Sequence, residues 1–191
     1  DLIISGAGLP VDLRAFVLGS RTKFAPIVSS LKSAKVLCKM WDRRYQTAPD
    51  LVVIEGPQAG GHLGFDREEL EEITQTKYDD VIRSIISLVG EYAKKYRKKI
   101  PVVVAGGIFE KKDMDHALEL GADGVQMGTR FVTTQECDAS QAYKQAYLNA
   151  AKEDICIVKS PVGMPGRAIR NLFVRKTEKE KIPIEKCHPC I

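Results

Sequence analysis

Short, unbroken apolar runs alternate along the chain with longer stretches in which apolar residues recur at every third or fourth position. The runs are Leu2–Ser5, Phe24–Ser29, Leu51–Glu55, Val102–Ala105 and Gly124–Met127, and a further strand is expected at Ile155–Lys159. None of them alternates apolar with polar, so each predicts a strand covered on both faces, as in a parallel sheet. Tyr78, Val81, Ile82, Ile85, Val89, Tyr92 and Tyr96 form a single apolar stripe, which predicts a long helix lying on that sheet. Asp113 reads as the N-cap of a short helix running to Leu120, closed by Gly121 in a left-handed conformation. Ser140 reads as the cap of a helix carrying Tyr143, Ala146, Tyr147 and Ala150.

Repetition of strand, helix and strand means right-handed parallel units and an α/β fold. About five such units are legible, whereas a closed (β/α)8 TIM-type barrel needs about 250 residues. The expected architecture is therefore the last five βα units of a barrel, with an open doubly wound sheet as the alternative. The first three units would lie outside the 191 residues, and the chain opens inside an apolar run, at Asp1-Leu2-Ile3-Ile4. Residues 1–176 read as one barrel domain and residues 177–191 as a charged tail ending in Cys187-His188-Pro189-Cys190. Arg67–Lys77 reads as a polar, acidic insertion before the long helix.

Composition narrows the class without choosing within it. Hydrophobic residues make up 44% and charged residues 28%, an ordinary globular balance. The net charge of +4 is spread among acids, which argues against nucleic acid as a partner. No apolar stretch reaches the roughly 20 residues of a membrane span, and no signal segment opens the chain. Five scattered cysteines do not make a secreted disulfide framework. A cytoplasmic protein acting on a small-molecule substrate is the expectation, with a homodimer as an allowed assembly.

Candidate chemistry sits directly after the strands, at the end of a parallel sheet where active sites are built. The strand ends carry Ser5-Gly6-Ala7-Gly8, Ser29-Ser30, Glu55-Gly56-Pro57-Gln58-Ala59-Gly60-Gly61-His62, Ala105-Gly106-Gly107 and Met127-Gly128-Thr129. Small residues at each would leave room for a flat ligand. Gly106-Gly107 and Gly128-Thr129 would lie side by side, each leading towards a helix, and together predict a phosphate site. The bland reading of either glycine pair alone is a tight turn. His62 is the histidine placed for proton exchange near neutral pH, although from position alone a turn-capping role stands equal. His116 and His188 read as structural or exposed. Gly6-Ala7-Gly8-Leu9-Pro10 lacks the third glycine of a dinucleotide loop, and Cys187 with Cys190 lacks a second ligand pair for zinc. No metal is expected.

Four blocks in order carry a family resemblance: EGPQAGGHLG at 55–64, IPVVVAGGI at 100–108, ALELGADGVQMGTRF at 117–131 and SPVGMPGRAIRN at 160–171. Together they resemble the nitronate monooxygenase (2-nitropropane dioxygenase) family, which is related to the flavin-dependent enoyl-acyl carrier protein reductases. The resemblance implies a barrel that holds FMN at its C-terminal face. It implies phosphate and ribityl contacts at Gly106, Gly107, Gln126, Met127, Gly128 and Thr129, and close approach of Gly60 and Gly61 to the flavin ring. His62 matches the family's catalytic histidine. Glu55 stands where the family often has Gln in contact with the flavin, so its role departs from the pattern.

The implied activity is a monooxygenase reaction in which FMN and dioxygen oxidise alkyl nitronates or nitroalkanes to carbonyl compounds and nitrite. The rivals are an FMN- and NAD(P)H-dependent trans-2-enoyl-acyl carrier protein reductase and a non-catalytic flavin-binding barrel. A barrel of the inosine-monophosphate dehydrogenase type falls behind, because its chemistry needs a nucleophilic cysteine that the loop after Leu51–Glu55 lacks.

Overall fold

The structure, a computed structural model, describes residues 1–6, 8–160 and 163–180. Five parallel strands make the central sheet: β1 (Leu2–Ser5), β2 (Lys23–Val28), β3 (Val52–Glu55), β5 (Val102–Ala105) and β6 (Gly124–Gln126). Their spatial order is their chain order, β1-β2-β3-β5-β6. A doubly wound sheet reverses direction at a switch point, whereas a barrel adds each strand beside the last. The unreversed order is that of five consecutive staves of a (β/α)8 barrel.

All five apolar runs are strands of this sheet. The sixth, β7 (Ile155–Lys159), is a strand too, but it does not continue the parallel series. It pairs antiparallel with β8 (Pro165–Ile169), which pairs on its other side with the two-residue β4 (Gly61–His62). Five residues separate Lys159 from Pro165, enough for a hairpin and too few for a parallel crossover. This small sheet stands over the end of the barrel from which β3 runs out.

Helices α1 (Leu31–Tyr45) and α3 (Gln75–Tyr96) pack against the sheet and each other. The sequence reading did not single out α1, although Ala34, Leu37, Cys38 and Trp41 line its buried face at helical spacing. The buried stripe of α3 is Tyr78, Ile82, Ile85 and Val89, with Val81, Tyr92 and Tyr96 half-buried beside it. Residues 67–77 are mostly helical: α2 (Arg67–Glu72) starts at an Asp66–Glu69 capping box, and α3 begins at Gln75.

Helix α4 (Lys111–Glu119) starts earlier than a cap at Asp113 would require. Asp113 sits inside the first turn, and its carboxylate accepts from the N–H groups of Phe109 and Glu110. Gly121 then takes a φ of +103°, the left-handed exit its position foretold. Ser140 caps α6 (Gln141–Asn149), its hydroxyl accepting from the N–H of Tyr143. Helix α7 (Leu172–Lys179) runs through position 176, so the expected boundary between domain and tail falls inside a helix. Cys187 and Cys190 lie outside the described residues. Among those described, no helix is long and apolar enough to cross a membrane.

Candidate functional site

Sheet register puts the chemistry-bearing strand ends in one row. Glu55 pairs with Ala105, and Ala105 pairs with Gln126. The Gly106-Gly107 and Met127-Gly128 turns therefore leave neighbouring strands at the same level, and the Gly56–Gly60 bend leaves the strand beside them. Gly106 and Gly107 have φ values of +87° and +83°, which L residues adopt only under strain. A Cβ at Gly107 would lie 2.5 Å from Gln58 Oε1, and one at Gly106 would lie 3.0 Å from the Gly56 backbone. This glycine pair thus has a packing reason as well: it lets the bend after β3 sit close against the turn after β5.

Gly60, Gly61 and Gly128 differ, since a Cβ at any of them would meet no atom within 4 Å. Open space beside glycine main chain is what a flat ligand lying on the backbone requires. The helix-dipole part of the phosphate expectation does not carry over. Asp113 already occupies N–H donors at the start of α4, and the helix after Gly128, α5 (Thr129–Val132), has only four residues. Binding of a phosphate here would rest on the N–H groups of the turns themselves.

Glu55 and His62 line one cavity of about 170 Å³, together with Val28, Ser29, Ser30, Gly64 and Met164 among others. Gly8 and Leu9 separate it from an adjoining hollow of about 280 Å³ bounded by Ser5, Gly6 and residues 8–13. The hollows open at the ends of β1, β2 and β3, the same end of the sheet as the glycine turns, while Gly106, Gly107 and residues 126–129 do not line either of them.

Burial pushes the Glu55 carboxyl above its usual range. Behind it Tyr78, reaching in from α3, is buried with a hydroxyl that finds no hydrogen-bond partner among the described residues. Burial first, and then the charge of Glu55, drive its phenol well above the ordinary value. The imidazole of His62 is exposed, and its Nε2 lies 2.7 Å from Ser160 Oγ. Ser160 belongs to a block whose order in the chain was informative, yet nothing in its residue types announced a contact with His62. Arg167, in the same block, donates through Nη1 to the carbonyls of Pro57 at 2.6 Å and Ala59 at 2.8 Å. His116, partly exposed, meets the buried Asp79 at 3.0 Å and links α4 to α3.

The fold and site thus define a section of a (β/α) barrel with a cavity holding one carboxyl and one imidazole at the same sheet end as its glycine turns. A family model for nitronate monooxygenase matches residues 2–188, and the chain belongs to that family. A "Probable nitronate monooxygenase" of Staphylococcus saprophyticus is 36% identical over 136 residues, covering 70% of this chain and 36% of the relative. A protein of the same description from Staphylococcus aureus strain Newman is 32% identical over 127 residues, 66% of this chain and 33% of that one. Among solved structures, FabK from Thermotoga maritima superposes with a TM-score of 0.69 at 30% identity, over 93% of this chain and 49% of FabK. A nitroalkane oxidase from Streptomyces ansochromogenes gives 0.68 at 23% identity, over 92% and 46%, a likeness of fold alone. The chain spans about a third of the curated relatives' length and about half of those structures.

Proposed function

We propose that this chain forms the FMN-binding face of an oxidoreductase that takes alkyl nitronates or nitroalkanes, with dioxygen, to carbonyl compounds and nitrite. The observation that carries the reading is the placing of His62 and Glu55 in one cavity, at the sheet end where the Gly106-Gly107 and Gly128-Thr129 turns leave adjacent strands. Family membership supports the chemistry.

The residues fit the cofactor. Main-chain donors at Gly106, Gly107, Gly128 and Thr129 would hold the phosphate, with Gln126 and Met127 beside the ribityl chain. The uncluttered backbone at Gly60 and Gly61 would accept the ring, near Glu55. FMN, when bound, supplies the electron transfer, while the protein supplies orientation and electrostatics. His62 removes the α-proton of a neutral nitroalkane, or, protonated, stabilises a nitronate anion. Exposure of the imidazole to the cavity gives substrate access to it.

The purified protein is expected to show the visible absorption of a flavin and to release FMN on denaturation. His62→Ala should retain the flavin and lose turnover of neutral nitroethane by about 100-fold or more, the scale of a lost general base. Nitroethane oxidation at the wild-type rate in that variant would remove His62 from the mechanism.

One observation favours a second reading: the likeness to FabK combines 30% identity with the higher TM-score. An NAD(P)H-dependent enoyl-thioester reductase would bleach its flavin on anaerobic mixing with NADH and recover colour with a crotonyl thioester. Bleaching by nitroethane, with no response to NADH, supports the oxidase. No described cysteine lines either hollow, so the inosine-monophosphate dehydrogenase reading gains nothing from the site.

A further inference from the structure

We propose that the β7–β8 hairpin is the positioning device for His62, with Arg167 clamping the bend that leads to the histidine and Ser160 holding its ring. The inference rests on the reading of His62 as the proton-transfer group.

Three observations converge on it. First, Arg167 uses one guanidinium nitrogen for two main-chain carbonyls, Pro57 and Ala59, more than a hundred positions away in the chain. Both carbonyls lie in the bend between Glu55 and His62. Secondly, no carboxylate pairs with Arg167 among the described residues, although it is half-buried and burial pushes its guanidinium below the usual range. A cation placed this way has its charge directed wholly at backbone dipoles, and such charge-assisted bonds are about twice as strong as neutral ones. Thirdly, strand pairing alone already joins the two segments: Gly61 pairs with Arg167, His62 pairs with Gly166, and the Leu63 N–H donates to the Pro165 carbonyl. Arg167 is therefore not needed to attach β4. What it adds is a fixed shape for residues 57–59, which set where Gly60, Gly61 and His62 emerge.

Ser160, at the other end of the hairpin, meets the imidazole itself. For His62 to act as a base through Nδ1, its Nε2–H must donate to Ser160 Oγ. That bond persists when the ring gains a proton, because Nε2 is a donor in both states. In the proposed arrangement Ser160 Oγ accepts from Nε2–H, which leaves the free lone pair on Nδ1. The sequence block 160–171 acquires a task on this account: it orients the group that moves the proton.

The test uses the flavin-loaded protein with Arg167→Ala, Arg167→Lys and Ser160→Ala. Arg167→Ala should lower kcat on a neutral nitroalkane by about 10- to 100-fold, the scale of a displaced reacting group, with the loss persisting at saturating FMN and KM within about 3-fold of wild type. Guanidinium ion added to Arg167→Ala should restore part of the rate. Arg167→Lys, which keeps the charge and loses the fork, should fall between the two, and it provides the reading should the alanine variant fail to fold. Nitrogen-15 spectra of the His62 ring should show one tautomer in the wild type and a mixture in Ser160→Ala and Arg167→Ala.

Wild-type kcat together with an unchanged His62 ring spectrum in the Arg167 variants would overturn the proposal. So would a rate loss matched by loss of flavin and not relieved by guanidinium. If instead His62→Ala retains full turnover, the proton-transfer reading fails. The ring spectra then decide the positioning claim separately: a tautomer mixture in the variants sustains it and a wild-type spectrum ends it.

Discussion

At the scale of single residues, Gly107 and Glu55 each carry a prediction. Gly107 combines a left-handed backbone with a side-chain direction already filled by Gln58. Gly107→Ala is expected to cost about 1–2 kcal/mol from the backbone alone, with more for displacing Gln58. Chemical denaturation would measure it, and a flavin titration should show weaker FMN binding. A null effect on both would mean that the turn has freedom the geometry denies.

Glu55 makes a prediction about pH. Burial holds its carboxyl above the usual range, so the folded protein binds that proton more tightly than the unfolded chain does. The sign follows: in the flavin-free protein, the contribution of Glu55 to stability is greatest below the ordinary carboxylate value. It declines as pH rises through that value to the folded one, and is level beyond it. Glu55→Gln should remove this decline and raise the melting temperature at neutral pH. Melting curves from pH 4 to pH 8, about the span in which a raised carboxyl titrates, would show an undiminished slope in the variant if another group is responsible.

At the scale of elements, legibility followed periodicity. The unbroken apolar runs marked all five parallel strands, and the stripe from Tyr78 marked α3, because burial on both faces or on one stripe imposes a regular pattern. The glycine turns were legible as a pair because two strand ends had similar composition. Cap positions were less so: Asp113 satisfies the N–H groups ahead of α4 from inside its first turn, and a carboxylate can cap from either place. The antiparallel pairing of β7 was hidden, since β8 holds Pro165, Gly166 and Arg167 and has no apolar run of its own. The contacts of Ser160 and Arg167 are long-range, and no local pattern encodes the partner of a side chain about a hundred residues distant.

At the scale of the whole molecule, the two ends of the barrel section have separate duties. Away from the site, Asp50 accepts from Arg14 at 2.7 Å, from Lys98 at 3.1 Å and from the Phe24 N–H at 3.0 Å, tying the starts of β2 and β3 to the end of α3. Desolvation raises its carboxyl, but these three donors prevail and hold it below the ordinary range. Its contribution is therefore present above the ordinary carboxylate value and is lost as pH falls towards the folded one. Asp50→Ala leaves the buried Arg14 without its carboxylate and should cost about 3 kcal/mol or more in a urea melt. FMN affinity should not change, because the proposed flavin site lies at the opposite strand ends; a parallel loss of flavin would contradict that division. The outer strands tell a related story: Leu2, Ile3 and Ile4 of β1 are each more than 40% exposed, whereas β2, β3 and β5 are largely buried. An apolar strand wet on both sides is a surface for further staves, consistent with relatives two to three times as long as the matched region.

The antiparallel sheet reaches the bend beside the glycine row through Arg167, which holds the carbonyls of Pro57 and Ala59. One module would grip what every member of such a family shares, and the other would face whatever each member acts upon. Exchanging residues 155–170 between relatives should then transplant substrate preference while the proposed flavin stays bound, so that new activities can arise by grafting one short hairpin onto an inherited cradle.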